Sequence, residues 1–147
     1  MFETVRVAAI SLKPKKWDKA TNAQKLEKYF REAIRLHSPQ LIVAPEGVLE
    51  GYIVSEVIQN PKRAPEMLAI SETIDGPYIR RFRSLAASLN TCICFGFSER
   101  VVDDIYNTAI LIDGNGKILG MHRKVQFAEG TDPSWTFNRT GIRIWSS

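Results

Sequence analysis

The stretch Leu-Ile-Val-Ala-Pro-Glu-Gly at residues 41–47 decides the fold of this chain. Its apolar run lies between Pro39 and Pro45, and such a short bounded run is typical of a strand buried in a parallel sheet. Pro45 stiffens the turn that follows, and Gly47 lets the backbone bend away sharply. Glu46 therefore stands where the chain leaves the sheet, and at such positions side chains from several strands can converge on one cleft.

The sequence on both sides of this strand predicts alternating strands and helices. Strands are predicted over residues 5–12, 41–44, 91–97, 105–112 and 117–122, with a last one beginning at 141–145. Helices are predicted over residues 21–37 and 77–90. This order predicts one folding unit of the α/β class, with a mixed sheet and helices packed on a face.

Three local signals refine this outline. Thr21 and Gln24 have the spacing of a capping box, so the first helix is expected to begin there. Residues 113–116, Asp-Gly-Asn-Gly, predict a hairpin turn between the two strands that flank them. Residues 53–70 predict a surface excursion with a short helical piece, because two prolines interrupt any longer helix.

The composition excludes several classes of protein. Of the 147 residues, 44% are hydrophobic and 24% are charged, which is the profile of a soluble globular domain. The net charge of +4 comes from basic residues scattered along the chain, so no nucleic-acid partner is expected. No run reaches the roughly 20 apolar residues of a membrane span, and the N-terminus lacks the features of a signal peptide.

The two cysteines, Cys92 and Cys94, are separated by one residue. This spacing fits neither a redox pair nor a zinc site, so we predict no metal site and no cofactor. It also favours a reducing, cytoplasmic setting. Because free cysteine is among the most buried residue types, both side chains are expected to pack as small buried hydrophobes.

Two polar residues stand directly after predicted strands and are candidates for chemistry. Glu46 could act as a general base, and Lys124 could donate hydrogen bonds to an oxyanion if it lies near a carboxylate. Taken singly, a Glu or Lys at a strand end is more typical of a solvated loop. The case for a catalytic role of these two residues therefore depends on the motifs around them.

Five short segments occur in an informative order. They are Pro-Glu-Gly-Val-Leu-Glu-Gly-Tyr (45–52), Asp-Gly-Pro (75–77), Phe-Gly-Phe-Ser-Glu-Arg (95–100), Tyr-Asn-Thr-Ala (106–109) and Gly-Lys-Ile-Leu-Gly-Met-His-Arg-Lys (116–124). In this order the chain resembles the carbon-nitrogen hydrolase family, or nitrilase superfamily, from about residue 5 to its last residue. The resemblance implies an α-β-β-α sandwich, of which residues 1–147 would form the N-terminal part of a single domain, truncated at its C-terminus.

The resemblance also implies a reaction and a set of residues. Family members cleave nitriles, amides or N-carbamoyl compounds with a Glu-Lys-Cys triad and a covalent, thioester-type intermediate. By position, Glu46 matches the general base and Lys124 the lysine. Glu129 is the candidate for a second glutamate, and Tyr52 and Trp135 are candidates to line a substrate pocket.

The nucleophile is where the sequence departs from the family pattern. The family's cysteine is expected at the end of the strand that residues 141–145 begin, and the sequence stops at Ser147. Cys92 and Cys94 precede Lys124 and do not match that position. The chain is therefore expected to contain no nucleophile and to be inactive by itself.

Two readings of function remain open from the sequence. In the first, a full-length parent, expected to be a homo-oligomer, hydrolyses a small amide, nitrile or carbamoyl compound. In the alternative, the chain is a complete, non-catalytic binding or interaction protein on a shortened nitrilase-like fold. The sequence does not choose among the substrate classes, because the loops around a pocket decide that choice.

Overall fold

The computed structural model describes residues 4–124 and 143–145. Its strands are β1 (Val7–Ala9), β2 (Leu41–Val43), β3 (Cys92–Val101), β4 (Asp104–Ile112), β5 (Ile118–Arg123) and β6 (Arg143–Trp145). Its helices are α1 (Lys19–His37), α2 (Val54–Gln59), α3 (Ala64–Ile70) and α4 (Pro77–Leu89), with a single 3-10 turn at Pro61–Arg63. These elements confirm the predicted α/β class.

The strands form one mixed sheet in the order β1-β2-β3-β4-β5. The first three strands are parallel, since helices connect them, whereas β3 and β5 both run antiparallel to β4. β6 pairs in parallel with the start of β4, at residues 104–106. The described part of the chain is thus a single sheet with its helices, which corresponds to one α-β layer pair of the expected sandwich.

The core lies on the face of the sheet that the helices cover. α1 buries Leu26, Phe30 and Ala33 at helical spacing, and α4 buries Ile79, Phe82 and Leu85. These side chains meet the fully buried sheet residues Ile42, Ile93, Phe95, Phe97, Ile110 and Ile112. Phe82 is the centre of the packing, because its ring centroid lies 6.0 Å from that of Phe30 and 4.9 Å from that of Phe95.

The opposite face of the sheet, which we call the open face, carries a second set of apolar side chains. Side chains on this face alternate along each strand with those that form the core, so Cys92 and Cys94 point away from Ile93 and Phe95. Both cysteines are half-buried among the described residues. Both are therefore less buried than the sequence led us to expect, because they lie on the face that the helices do not cover.

α1 begins earlier than the predicted capping box. Asp18 is the N-cap, and its side chain accepts hydrogen bonds from the Thr21 amide at 3.0 Å and the Thr21 hydroxyl at 2.9 Å. Thr21 is therefore inside the first turn, and the predicted capping box with Gln24 was wrong. An aspartate three residues before a threonine offers the same kind of cap, and its carboxylate accepts both bonds at once.

The excursion at residues 53–70 is more helical than predicted. It contains α2, the 3-10 turn and α3, because Pro61 and Pro65 occupy the first turns of their helices, where a missing N–H costs little.

β3 also extends four residues past its predicted end to Val101, where a tight turn leads into β4. Val102 in that turn has a φ of 57°, a conformation that a β-branched residue rarely adopts and that its residue type therefore does not signal.

The β4–β5 hairpin confirms the turn prediction and contains one irregularity. The Asp113 carboxylate accepts the amides of Asn115 at 2.9 Å and Lys117 at 2.8 Å, which closes the turn. Leu111 pairs with Gly120 but the next residue, Ile112, pairs with Ile118. Leu119 is therefore an extra residue, and β5 carries a bulge there.

Within the described residues, the helices are all too short or too polar to cross a lipid bilayer.

Candidate active site

The loop that carries Glu46 leaves β2 and folds back along β3. The Val48 amide donates to the Gly96 carbonyl at 3.0 Å, and the Gly96 amide donates to the Pro45 carbonyl at 3.1 Å. Gly47 turns the chain with a φ of +59°. A Cβ at Gly96 would lie 2.6 Å from the Cα of Glu46, so only glycine lets the loop approach β3 this closely.

A second glutamate in the same loop anchors it to β3. Glu50 is only 4% exposed, and its carboxylate accepts the Ser98 amide at 3.1 Å and the Ser98 hydroxyl at 2.9 Å. Asn22 of α1 donates its side-chain amide to the Leu49 carbonyl at 2.8 Å, which holds the loop from the other side. Burial raises the pKa of Glu50, and the bonds from Ser98 and the charge of Lys19 oppose that rise only in part.

Glu50→Gln is expected to increase the free energy of unfolding at neutral pH, with no increase in acid. Burial raises the pKa of Glu50 above its ordinary value of 4.5. The contribution of this group to stability is therefore fully present below pH 4.5 and is lost as the pH rises through the raised pKa. Glutamine keeps an acceptor for Ser98 without the buried charge. Each unit of difference in pKa corresponds to about 1.4 kcal/mol.

Urea unfolding between about pH 4 and pH 8 measures this effect, because the gain of the variant over the unsubstituted chain should grow with pH and then level off. Glu32→Gln is the matched control, since Glu32 is a glutamate on α1 whose side chain is 44% exposed. A gain that is independent of pH would contradict the prediction.

Lys124 follows β5 directly and reaches the Glu46 loop. Its Nζ donates to Glu46 Oε1 at 3.1 Å, and the two side chains are 44% and 41% exposed. The Lys124 amide donates to the Asn107 carbonyl at 2.8 Å, which fixes the end of β5 against β4. The structure thus brings together the two residues that the sequence singled out, from loops 78 residues apart.

Asn107 on β4 is a third member of the site that sequence reasoning missed. Its side-chain amide donates to the same Glu46 oxygen that Lys124 contacts. One residue therefore binds Glu46 through its side chain and Lys124 through its backbone. The signal in the sequence was the Tyr-Asn-Thr-Ala segment at 106–109, to which we assigned no role of its own.

A cavity of about 340 Å³ opens beside this cluster on the open face of the sheet. Its lining consists of Val43, Ala44, Glu46, Cys94, Phe95, Gly96, Asn107, Thr108, Ala109, His122 and Lys124. The lining combines small and apolar residues with the hydrogen-bonded cluster of Glu46, Asn107 and Lys124. Such a lining suits a small compound that has one polar group for this cluster to bind.

The other predicted site residues fall outside this cluster. Tyr52 is 44% exposed and is not among the described residues that line the cavity. Glu129 and Trp135 lie outside the residues that the structure describes. Cys94 is in the cavity wall, and burial raises the pKa of its thiol, which disfavours the thiolate that a nucleophile needs.

Across residues 4–124, no group of three or more His, Cys, Asp or Glu side chains is placed to hold a metal ion. The charged side chains of the site are one carboxylate and one ammonium group, paired with each other. This pair offers a base and a hydrogen-bond donor for acyl-transfer chemistry.

Comparison with known sequences gives relatives along most of this chain. It is 34% identical over 133 residues to the "Hydrolase in pqqF 5'region" of Pseudomonas protegens, covering 90% of this chain and 43% of that protein. It is 28% identical over 128 residues to the aliphatic nitrilase of Rhodococcus rhodochrous, covering 84% of this chain and 35% of the nitrilase. The chain therefore spans less than half the length of these relatives.

Comparison with solved structures shows the same fold. An amidase from Nesterenkonia sp. AN1, solved in complex with acrylamide, matches 97% of this chain and 49% of its own, with a TM-score of 0.68 at 17% identity. The sequence profile described as carbon-nitrogen hydrolase matches residues 6–140. Since that match covers nearly the whole sequence, the chain belongs to the carbon-nitrogen hydrolase family.

Proposed function

We propose that this chain supplies the general base and the oxyanion-binding lysine of a hydrolase that cleaves small non-peptide amides, nitriles or N-carbamoyl compounds. The observation that carries the proposal is the 3.1 Å contact between Lys124 Nζ and Glu46 Oε1 at the edge of a cavity. The hydrogen bonds from Lys124 and Asn107 hold the Glu46 carboxylate in one direction. It can therefore accept a proton from a nucleophile placed next to it.

The proposed reaction on an amide starts with a cysteine thiol, which loses its proton to Glu46 as the thiolate attacks the carbonyl carbon. Lys124 stabilises the resulting oxyanion with its ammonium group. The C–N bond then breaks, and the amine leaves with the proton from Glu46, which produces a thioester. Water next gives a proton to Glu46 and attacks the thioester, and the departing thiolate takes that proton back as the acid is released.

We place the nucleophile of this reaction in sequence beyond Ser147. Neither Cys92 nor Cys94 follows Lys124 in the chain, and Cys94 is a wall residue whose thiol is held in its neutral form by burial. The Nesterenkonia amidase, in another of its solved variants, carries an acetamide group covalently attached to an active-site cysteine. Residues 1–147 would then be the N-terminal part of one domain, inactive without the rest.

Joining the full chain to the half of the Nesterenkonia amidase that the alignment leaves uncovered should create an amide hydrolase. We expect the chain alone and the amidase half alone to release no ammonia from acrylamide or butyramide, and the fusion to release it above both. A cooperative thermal melt shows whether the fusion has folded. A folded fusion without hydrolysis, or hydrolysis by the chain alone that Glu46→Gln abolishes, would overturn the proposal.

A further inference from the structure

A partly buried ion pair directly precedes the lysine of the site, between Arg123 and the buried carboxylate of Glu99. The Glu99 carboxylate is 1% exposed and accepts Arg123 Nε and Nη2, both at 2.9 Å, in a two-pronged contact. Thr108 donates its hydroxyl to the same carboxylate at 2.7 Å. Glu99 therefore has both oxygens occupied, and these bonds raise the pKa of Arg123. Such a pair holds its two strands in one geometry.

The guanidinium of Arg123 is also held from a second direction. It stacks on the Tyr106 ring with its central carbon 4.1 Å from the ring centroid. Tyr106 is opposite Glu99 in the β3–β4 register and directly precedes Asn107. Tyr106, which holds Arg123 from this second direction, therefore belongs to the same stretch of β4 that contacts Glu46 and Lys124.

The position of Arg123 in the strand gives the pair its link to the site. Thr108 and Arg123 form the last residue pair between β4 and β5, and the next contact is the bond from the Lys124 amide to the Asn107 carbonyl. Successive side chains of a strand point to opposite faces. When Arg123 is held against Glu99 on the core side, Lys124 points to the open face, toward Glu46.

We infer that the Glu99–Arg123 ion pair is a positioning device that aims Lys124 at Glu46. It acts through the backbone of β5, since neither member lines the cavity within the described part of the chain. The inference rests on the proposed function for its catalytic meaning, because it assigns the orientation of the oxyanion-binding lysine. The geometry itself can be tested on the full chain without any hydrolysis.

Nuclear magnetic resonance of the full chain tests this inference through two signals of Lys124, the residue that the ion pair is proposed to position. In the unsubstituted chain we expect a contact between the Lys124 ε-methylene and the Asn107 side-chain amide, and slow hydrogen exchange of the Lys124 backbone amide. Arg123→Lys keeps the charge but loses the two-pronged contact. This variant should abolish the contact between Lys124 and Asn107. Because the end of β5 would open locally, hydrogen exchange of the Lys124 amide should become faster by about tenfold or more, while amides in the middle of β3 keep their exchange rates.

Arg100→Lys is the matched control, because Arg100 directly follows Glu99 in β3 and its guanidinium donates to the Val102 carbonyl and to no carboxylate among the described residues. This control should leave both signals unchanged. A folded Arg123→Lys chain with both signals intact would overturn the inference. If that variant does not fold, Tyr106→Leu, which removes the stacked ring and keeps the ion pair, must show the same loss in weaker form, and its absence would overturn the inference too.

The same substitutions in the fusion with the amidase half separate the two proposals. A misplaced lysine should lower kcat by about 100-fold while KM stays nearly constant, since a displacement near 1 Å is enough for such a loss. If the unsubstituted folded fusion is inactive, the proposed function fails while the signals at Lys124 still decide the inference. If the fusion is active and Arg123→Lys leaves kcat unchanged, only the inference fails.

Discussion

Glu46→Gln in the fused hydrolase is expected to lower kcat for butyramide by about 10⁴-fold or more, the scale seen when one member of a protease triad is removed. Glutamine has the shape of glutamate and can still accept bonds from Lys124 and Asn107 through its oxygen. It cannot take the proton of the attacking thiol. The predicted loss is therefore one of chemistry, and the thermal melting temperature should change little because Glu46 is 41% exposed.

The rate of alkylation of the fusion's active-site cysteine by fluoroacetamide measures the same step directly. Without the base, a thiol near its free pKa of about 8.5 is mostly protonated at neutral pH, so labelling should slow along with kcat. Glu32→Gln is again the control, since the Glu32 side chain is 44% exposed on α1 and is not among the described residues that line the cavity. Retention of more than about a tenth of kcat by Glu46→Gln would be incompatible with a general base at this position.

Gly96→Ala is expected to destabilise the chain by about 2 kcal/mol, within the range for overpacked sites. The new Cβ would lie 2.6 Å from the Cα of Glu46 and 3.1 Å from the amide nitrogen of Gly47. Both are backbone atoms, so the loop must move as a unit. Lys124 would then lose its 3.1 Å partner, and in the fusion kcat should fall by more than the loss of stability alone explains.

Gly120→Ala provides the control for this prediction. Gly120 is also a strand glycine on the open face, and a Cβ there would meet none of the described atoms within 4 Å. Its replacement should be neutral or stabilise by about 0.5 kcal/mol, because alanine restricts the unfolded chain. Urea unfolding measures the change in the free energy of unfolding for both variants. An equal change in the two would show that crowding against Glu46 does not cause the loss of stability in Gly96→Ala.

Strong local signals explain why much of the fold could be predicted. The bounded apolar run at 41–44, the Asp-Gly-Asn-Gly turn and the apolar stripe of α4 each encode their element within a few residues. Glu46 and Lys124 could be selected because each follows such an element. Their distance could not be predicted, since it depends on the pairing of β2, β3, β4 and β5 in one sheet.

The features that could not be predicted depend on tertiary contacts that no short segment of sequence encodes. Asp18 and Thr21 are both good N-caps, and only the packing of α1 decides which one serves. Asn107 has no local pattern of its own, because its role comes from contacts with loops far away in sequence. The half-buried cysteines show that a strand's apolar pattern does not reveal which of its faces the helices cover.

The bulge at Leu119 gives β5 one residue of spare length. Side chains alternate along a regular strand, so an extra residue that the strand did not absorb would reverse the parity of every later position. The bulge absorbs Leu119, because Ile118 pairs with Ile112, Gly120 pairs with Leu111, and Arg123 still pairs with Thr108. Deleting Leu119 should therefore restore a regular ladder with Lys124 still on the open face, so β5 can lose one residue at this point without moving the site.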